Sequence, residues 1–360
     1  MCGRKIPNVK KIAVLRSNAL GDYVFSLPAL HAIRHAYPRA DIVLLACQWH
    51  AAFLKERPAP VDRVEIVPLM KGICSGADEK EDAPETVGRF FERMRAEKFD
   101  IAVQLYGGGR YSNPFVKELH ARLTVGMKTP DACELDRWIP YVYYQPEVLR
   151  LLEVASLIGA APAGLEPGVA VTAKDIANAY SLLNTEDKPV VVIHPGATDT
   201  RRRWSPAKFA KVGDALADAG AKVVVTGNRE EKEVCGEVCG NMRSPGLSTA
   251  GLFSLNSFTG LIAASFLLVA NDTGPLHLAR AVNVPTVGIY WVGNMINGGP
   301  ISVNWNRTHI SFRTLCPVCS VDCINGKCEH RDSFVEDISV EAVIGSALEL
   351  FAQKRAAVLA

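Results

Sequence analysis

A chain of 360 residues, 48% hydrophobic and 22% charged, is long enough for two domains and has a globular composition, which excludes disorder as its default state. Its 40 Lys and Arg against 38 Asp and Glu leave a formal net charge of +2, so no global field points to nucleic acid as a partner. The longest apolar run, 261–270, carries Ser265 and is too short to cross a bilayer, and no apolar signal core opens the chain; a cytoplasmic location is expected.

In chain order, Arg4, Lys5, Lys10 and Lys11 form a basic cluster, read either as solvated surface or as a patch for an anionic surface. The runs KIAVL (11–15), DIVLLA (41–46), RVEIV (63–67) and DIAVQL (100–105) are short and β-branched, with helix-compatible stretches between them. That alternation predicts a parallel sheet with crossover helices. An acidic stretch, 76–85, reads as an exposed loop, and the Ala-, Gly- and Pro-rich stretch 157–168 as a connection between domains, with the hinge near 160–180. The pattern then restarts with PVVVIHPG (189–196), AKVVVTGN (221–228), SFLLVAND (265–272) and VPTVGIYW (284–291). Residues 205–220 predict a helix with Ser205 as its cap, Pro206 in its first turn and Gly220 at its end, and 339–360 predict a last helix that packs on either domain.

Ligands of open parallel sheets sit outside the carboxyl ends of the strands, so the corners carry the chemistry. After the first strand, Arg16, Ser17 and Asn18 lead to Gly21 and a single carboxylate, Asp22. In the second half, His194 is followed by the small-residue loop Gly196-Ala197-Thr198 and then Arg201, Arg202 and Arg203, a combination of backbone N–H groups and cations that suits phosphate. A later strand delivers Asp272, and Thr273-Gly274 opens a helix that holds His277 one turn in. Ordinary turn chemistry is the alternative at each corner: Asp22 as a helix cap, Asp272 or Thr273 as a cap, His277 as a buried hydrogen-bonded imidazole. No Walker A sequence occurs and no G-x-G-x-x-G follows the first strand.

The stretches RSNALGDYVFSLPALHAIRHAYPRADI, HPGATDTRRRWSPAKFAKV, VTGNREEKE and NDTGPLHLARAVNVPTVGIYW together resemble glycosyltransferase family 9, typified by ADP-heptose:lipopolysaccharide heptosyltransferases, over roughly residues 10–345. The resemblance implies an α/β fold of the GT-B type, two Rossmann-like domains facing each other across a cleft. Residues 1–170 are then expected to bind the acceptor, 171–338 the nucleotide sugar, and 339–360 to form the terminal helix. It implies Asp22 as the general base of an inverting, metal-independent transfer of heptose from ADP-heptose to a lipid-linked saccharide of the lipopolysaccharide core, with Arg16, Asn18 and Gly21 on the acceptor side. Donor contacts carried over are Gly196, Ala197, Thr198, Arg202, Asp272, Thr273, Gly274 and His277, with Glu231 at the ribose and Glu230 as its register alternative. Arg202 stands where the family commonly has lysine, an exchange that keeps charge and changes geometry. A different nucleotide sugar, a different acceptor or a non-catalytic sugar-nucleotide binder are the alternatives, and contact with the inner membrane face is a further expectation.

Ten cysteines in this length do not make a disulfide scaffold, and Cys2, Cys47, Cys74, Cys133 and Cys235 have no near partner in sequence, as suits a reducing compartment. Cys316, Cys319, Cys323 and Cys328, spaced C-x2-C-x3-C-x4-C, offer a tetrahedral set for a structural Zn²⁺, with His330 as a fifth candidate. Redox pairing and free thiols are the other readings. Members of the family carry a similar late cysteine-rich loop, often ending in Cys-Met, whereas Glu329 follows Cys328 here. No cofactor is expected for the catalytic step itself.

Overall fold

The computed structural model of the chain describes residues 3–74, 80–183, 188–326 and 328–359, so Cys2 and residues 76–79 of the acidic stretch lie outside the described residues. The chain divides into two compact units, Met1–Pro167 and Gly168–Ala360.

The first unit runs β1 (Lys11–Leu15), α1 (Leu20–Ala36), β2 (Asp41–Ala46), α2 (Gln48–Leu54), β3 (Arg63–Ile66), α3 (Pro84–Ala96), β4 (Ile101–Gln104), α4 (Ser112–Lys117), β5 (Leu123–Lys128), β6 (Arg137–Pro140) and α5 (Glu147–Ser156). The second runs α6 (Ala173–Leu182), β7 (Val190–His194), a 3-10 turn (Thr200–Arg202), α7 (Pro206–Asp218), β8 (Lys222–Val225), α8 (Lys232–Asn241) and β9 (Leu247–Ser248). It continues through α9 (Leu255–Ala263), β10 (Leu267–Asn271), α10 (Gly274–Ala281), β11 (Thr286–Trp291), α11 (Val292–Gly298), β12 (Asn306–Ser311) and α12 (Val340–Leu359).

Each unit holds one six-stranded sheet, ordered β3-β2-β1-β4-β5-β6 in the first and β12-β11-β10-β7-β8-β9 in the second. The neighbouring strands pair in parallel throughout. Counted from its own first strand, each sheet has the doubly wound order in which the chain leaves the centre in one direction and returns to build in the other. The order reverses between β1 and β4 in one unit and between β7 and β10 in the other, and loops diverge there to leave room for a ligand. The α/β class with two Rossmann-like units, expected from the alternation of runs, is what the chain forms.

Both faces of a parallel sheet are covered by helices, and this accounts for the uninterrupted β-branched runs. Every residue of β7 and β10 is buried. Trp204 is fully buried against Phe209 with ring centroids 5.2 Å apart, in a core that also takes Val343, Ala347, Leu350 and Phe351 of α12. The terminal helix is therefore part of the second unit's core. Two local expectations differ from the structure. Ser205 holds the N-cap position of α7 without a side-chain capping bond. Pro84 and Glu85, at the end of the acidic stretch, form the first turn of α3, because proline at that position presets a helical φ where no N–H is needed.

Candidate active site

At the reversal point of the second unit, Asn271 ends β10 and ties two loops together. Its Nδ2 donates to the Pro195 carbonyl (2.7 Å), and its Oδ1 accepts from the Trp204 N–H (3.1 Å). The Trp204 indole N–H in turn reaches the Ile338 carbonyl at 3.2 Å. Thus the segment that carries the three arginines is pinned on its C-terminal side by a buried ring and a buried amide.

Those arginines do not act alike. Arg201 is clasped by Asp199 through Nε and Nη2, at 3.0 and 2.7 Å, and Arg203 Nε donates to the Ala197 carbonyl at 2.9 Å. Local acceptors thus already engage two of the three arginines expected to suit phosphate. Arg202 alone turns to the other corner: its Nη1 lies 3.3 Å from Asp272 Oδ2, while its Nε is buried without a hydrogen-bond partner.

Asp272 is buried, and His277 Nε2 stands 3.2 Å from its other oxygen. On the far side of the ring, Arg280 Nη2 contacts His277 Nδ1 and also donates to the Gly298 carbonyl at 2.8 Å. A guanidinium only donates, so Nδ1 of His277 is the acceptor and Nε2 carries the proton toward Asp272. Burial alone would raise the Asp272 carboxyl, but His277, Arg202 and Arg280 outweigh it and hold the group below the ordinary carboxylate range. Two guanidiniums around one carboxylate leave the corner with a net positive charge, the sign an anion requires. Thr273 occupies the N-cap of α10 in extended conformation and makes no side-chain capping bond, and Pro275 takes the first turn.

On the opposite flank, Glu231 is buried and Glu230 is exposed. Glu231 Oε2 accepts from Asn228 N–H at 2.8 Å, Asn228 Oδ1 accepts from Glu231 N–H at 2.9 Å, and His194 Nε2 is 3.8 Å from the carboxylate. Burial lowers the His194 pKa against the pull of Glu231 in the other direction. A Cβ on Gly196 would sit 2.0 Å from Glu231 Oε1. Close approach of the glutamate is thus a sufficient reason for this glycine, beside the phosphate approach anticipated from the loop. Ala197 is buried and Thr198 exposed.

In the first unit the reversal point is built around Arg16, which is 1% exposed. Its Nε and Nη2 donate to the Asp22 carbonyl at 2.9 and 2.7 Å, its Nη2 lies 3.3 Å from Asp22 Oδ1 and 3.2 Å from Glu147 Oε1, and Nη1 donates to the Leu105 carbonyl after β4. Arg16, expected among the acceptor-side residues, is therefore turned inward onto the backbone of Asp22. Ala19 holds the N-cap of α1, so Asp22, three residues on, is not the helix cap; its side chain is 38% exposed. Gly21 is buried beside it, and Asn18 is half-buried with Oδ1 buried and unpaired. Tyr106 also faces this corner: burial raises its pKa first, and the Asp22 charge adds to the rise.

Among the cysteines, Cys47 and Cys74 are joined in a disulfide with Cα atoms 5.7 Å apart, although 27 residues separate them. Neither has a near partner in sequence; crossover topology brings them together, which spacing along the chain does not reveal. In the late loop the ligand atoms of Cys316, Cys319, Cys328 and His330 all lie within 4.8 Å of one another. Cys323 is outside this group, its Sγ directed to the Val321 carbonyl at 3.4 Å, and His330 takes its place in the expected set of four. Backbone N–H groups of Cys319 and Val318 hold the Cys316 thiol down to about 6. In the basic cluster, Lys11 pairs with Glu97 at 2.6 Å.

Arg280, Glu147 and Tyr106 complete the two corners without having been singled out from the sequence, and His194 and Asn271 were marked there only as strand ends. Asn271 and His194 were detectable as the last residues of their strands. Arg280 could be found at i+3 from His277, the spacing that places two side chains on one helix face. Glu147 and Tyr106 carried no local signal, because long-range packing alone brings them to Arg16 and Asp22.

The family model for glycosyltransferase family 9 (heptosyltransferase) matches residues 87–324, well over half of the chain. Lipopolysaccharide heptosyltransferase 3 of Escherichia coli is 24% identical over 305 residues, covering 81% of this chain and 85% of that protein. Two solved structures share the fold. A family 9 glycosyltransferase from Veillonella parvula superposes with a TM-score of 0.77 at 20% identity, covering 96% of this chain and 97% of the other. The E. coli ADP-heptose lipopolysaccharide heptosyltransferase II does so with a TM-score of 0.74 at 20% identity, covering 96% and 99%. The fold is GT-B, and the chain belongs to glycosyltransferase family 9, the heptosyltransferase family.

Proposed function

We propose that this glycosyltransferase moves heptose from ADP-heptose to a hydroxyl of a lipopolysaccharide core saccharide, with inversion at the anomeric carbon and with no metal ion at the reacting centre. The observation that carries the reading is the Arg202–Asp272–His277–Arg280 chain at the reversal point of the second sheet, a fixed, net-positive corner beside a helix N-terminus.

In this reading the pyrophosphate of the donor lies against Arg202, whose buried Nε takes one of its oxygens, and against the N–H groups of Gly196 to Thr198 and of Thr273 and Gly274. Asp272 does not meet the anion. It holds Arg202 on one side and the protonated Nε2 of His277 on the other, so that the cation is in place before the donor arrives. Glu231 accepts from the ribose hydroxyls. Asp22 takes the proton of the acceptor hydroxyl as its oxygen attacks the anomeric carbon; the bond from that carbon to the diphosphate oxygen breaks, and its electron pair leaves with ADP. Negative charge grows on the departing phosphate, where Arg202 and the backbone donors are fixed without reorganisation. Arg16 acts as a positioning residue that sets the direction of Asp22. Arg4, Lys5 and Lys10 are assigned to the anionic face of the membrane that carries the acceptor.

Calorimetric titration of ADP, GDP, UDP and ADP-heptose tests the donor half. The reading predicts preference for the adenine ligands and a loss of about 10- to 100-fold in affinity for Arg202→Ala, of the order expected for a charge-assisted contact. Preference for UDP or GDP would overturn the named donor.

A further inference from the structure

The loop that joins β12 to α12 brings four soft ligands together in a region the transfer chemistry does not use. We propose that Cys316, Cys319, Cys328 and His330 hold one tetrahedral divalent transition-metal ion, Zn²⁺ or Fe²⁺, which braces the arginine segment of the donor site.

The four ligand atoms already lie within 4.8 Å of one another. Metal–sulfur bonds of about 2.3 Å in tetrahedral array place thiolates about 3.8 Å apart, so the cluster needs only small adjustments to close on an ion. The backbone is arranged for this closure. Cys316 N–H donates to Val321 O at 2.8 Å and Ser320 N–H to Cys316 O at 3.0 Å, with Ser320 at a φ of 59°, so the C-P-V-C-S stretch folds into a tight turn with both sulfurs on one side. His330 Nδ1 is buried with no hydrogen-bond partner. Three sulfurs and one nitrogen suit Zn²⁺ and Fe²⁺ rather than Mg²⁺ or Ca²⁺, which take oxygen ligands.

The bracing follows from what the same loop touches. Phe334 N–H donates to the Arg201 carbonyl at 2.7 Å, Ser333 Oγ donates to the Arg203 carbonyl at 2.7 Å, and the Arg201 guanidinium lies 5.3 Å from the centre of the Phe334 ring. The loop therefore holds the residues on both sides of Arg202. This consequence rests on the donor-site reading above; the ion site does not.

The test is elemental analysis of the full chain, purified under reducing conditions and reconstituted anaerobically with Zn²⁺ or Fe²⁺. About one ion per chain is expected, with at least a tenfold loss of occupancy in Cys319→Ser and His330→Ala and none in Cys323→Ser or Cys133→Ser. Cys319 is exposed, so its replacement is compatible with folding, which circular dichroism verifies. Co²⁺ substitution of the unaltered chain gives an independent readout: thiolate charge-transfer and tetrahedral ligand-field bands support the site, and an octahedral spectrum overturns it. Absence of a bound ion after reconstitution with either metal, or equal loss in Cys323→Ser and Cys319→Ser, overturns it as well. Calorimetry on loaded and stripped protein separates the two claims. ADP affinity several-fold weaker without the ion supports the brace, equal affinity removes the brace, and failure of ADP to bind the loaded protein removes the donor reading while the ion measurement stands.

Discussion

The guanidinium of Arg16 grips Asp22 through its backbone, with two N–H donors on the Asp22 carbonyl at 2.9 and 2.7 Å and a weaker approach to the carboxylate at 3.3 Å. One buried cation thus fixes the first turn of α1 and, through Leu105, the loop after β4. Arg16→Met leaves Glu147 with Arg150 alone as its cation and takes the Arg16 donors from the Asp22 and Leu105 carbonyls. A loss of about 3–5 kcal/mol in unfolding free energy is expected from breaking such a buried set. Denaturant titration measures it. Arg16→Lys keeps the charge and loses the fork, so partial recovery of stability with turnover still depressed would mark the positioning role; full recovery of both would remove it.

Gly196 and Glu231 make a second, separable prediction. A Cβ at 196 would meet the Glu231 carboxylate at 2.0 Å, so Gly196→Ala must push that carboxylate away. Donor affinity and stability both fall, by about 1–3 kcal/mol in stability for an overpacked site. Combining it with Glu231→Ala relieves the clash. The double variant should be no less stable than Glu231→Ala alone, a coupling that a double-mutant cycle reads directly. Strict additivity would mean that the glycine serves something other than room for Glu231.

Acid sensitivity follows from two buried imidazoles. Burial, the main cause, lowers His50 to about 3 and also lowers His194. In the unfolded chain these rings take a proton near their ordinary pKa of about 6.5, while the folded chain refuses it until well below. The unfolded state therefore binds more protons throughout that window. Their contribution is complete above about 6.5 and is lost as pH falls, by about 1.4 kcal/mol per pH unit for each fully differing proton. His50 is fully buried beside Trp49 and Tyr23, and His50→Phe should flatten the acid limb of a plot of unfolding free energy against pH. An unchanged slope would show that the ring is protonated in the folded state.

Four strands of each six-stranded sheet and the placement of the polar corners were readable from β-branched runs that end at Arg16, His194 and Asn271, because a parallel sheet buries its strands and exposes its ends. Partner choice was not. Three adjacent arginines look equivalent along the chain, yet Asp199 and the Ala197 carbonyl hold two of them and leave Arg202 to Asp272. Cys323 fits a ligand spacing as well as Cys328 does, and only the fold of the loop brings His330 to the cluster in its stead. Cys47 and Cys74 meet because the segments after β2 and β3 emerge at the same end of neighbouring strands. In each case the deciding fact is a contact between segments that are distant in sequence, to which periodicity and composition are blind.

Asp22 is the group proposed to accept the acceptor proton, and the most direct measurement is single-turnover sugar transfer by Asp22→Asn beside its affinity for ADP-heptose. Asparagine keeps the shape and the backbone carbonyl that Arg16 holds, and removes the charge and the basicity. With Asp22 as the base, the transfer rate falls about 10²- to 10⁴-fold while donor affinity stays within a few-fold of the unaltered enzyme. Transfer at the original rate would contradict it and would return Asp22 to a purely structural role in the first turn of α1.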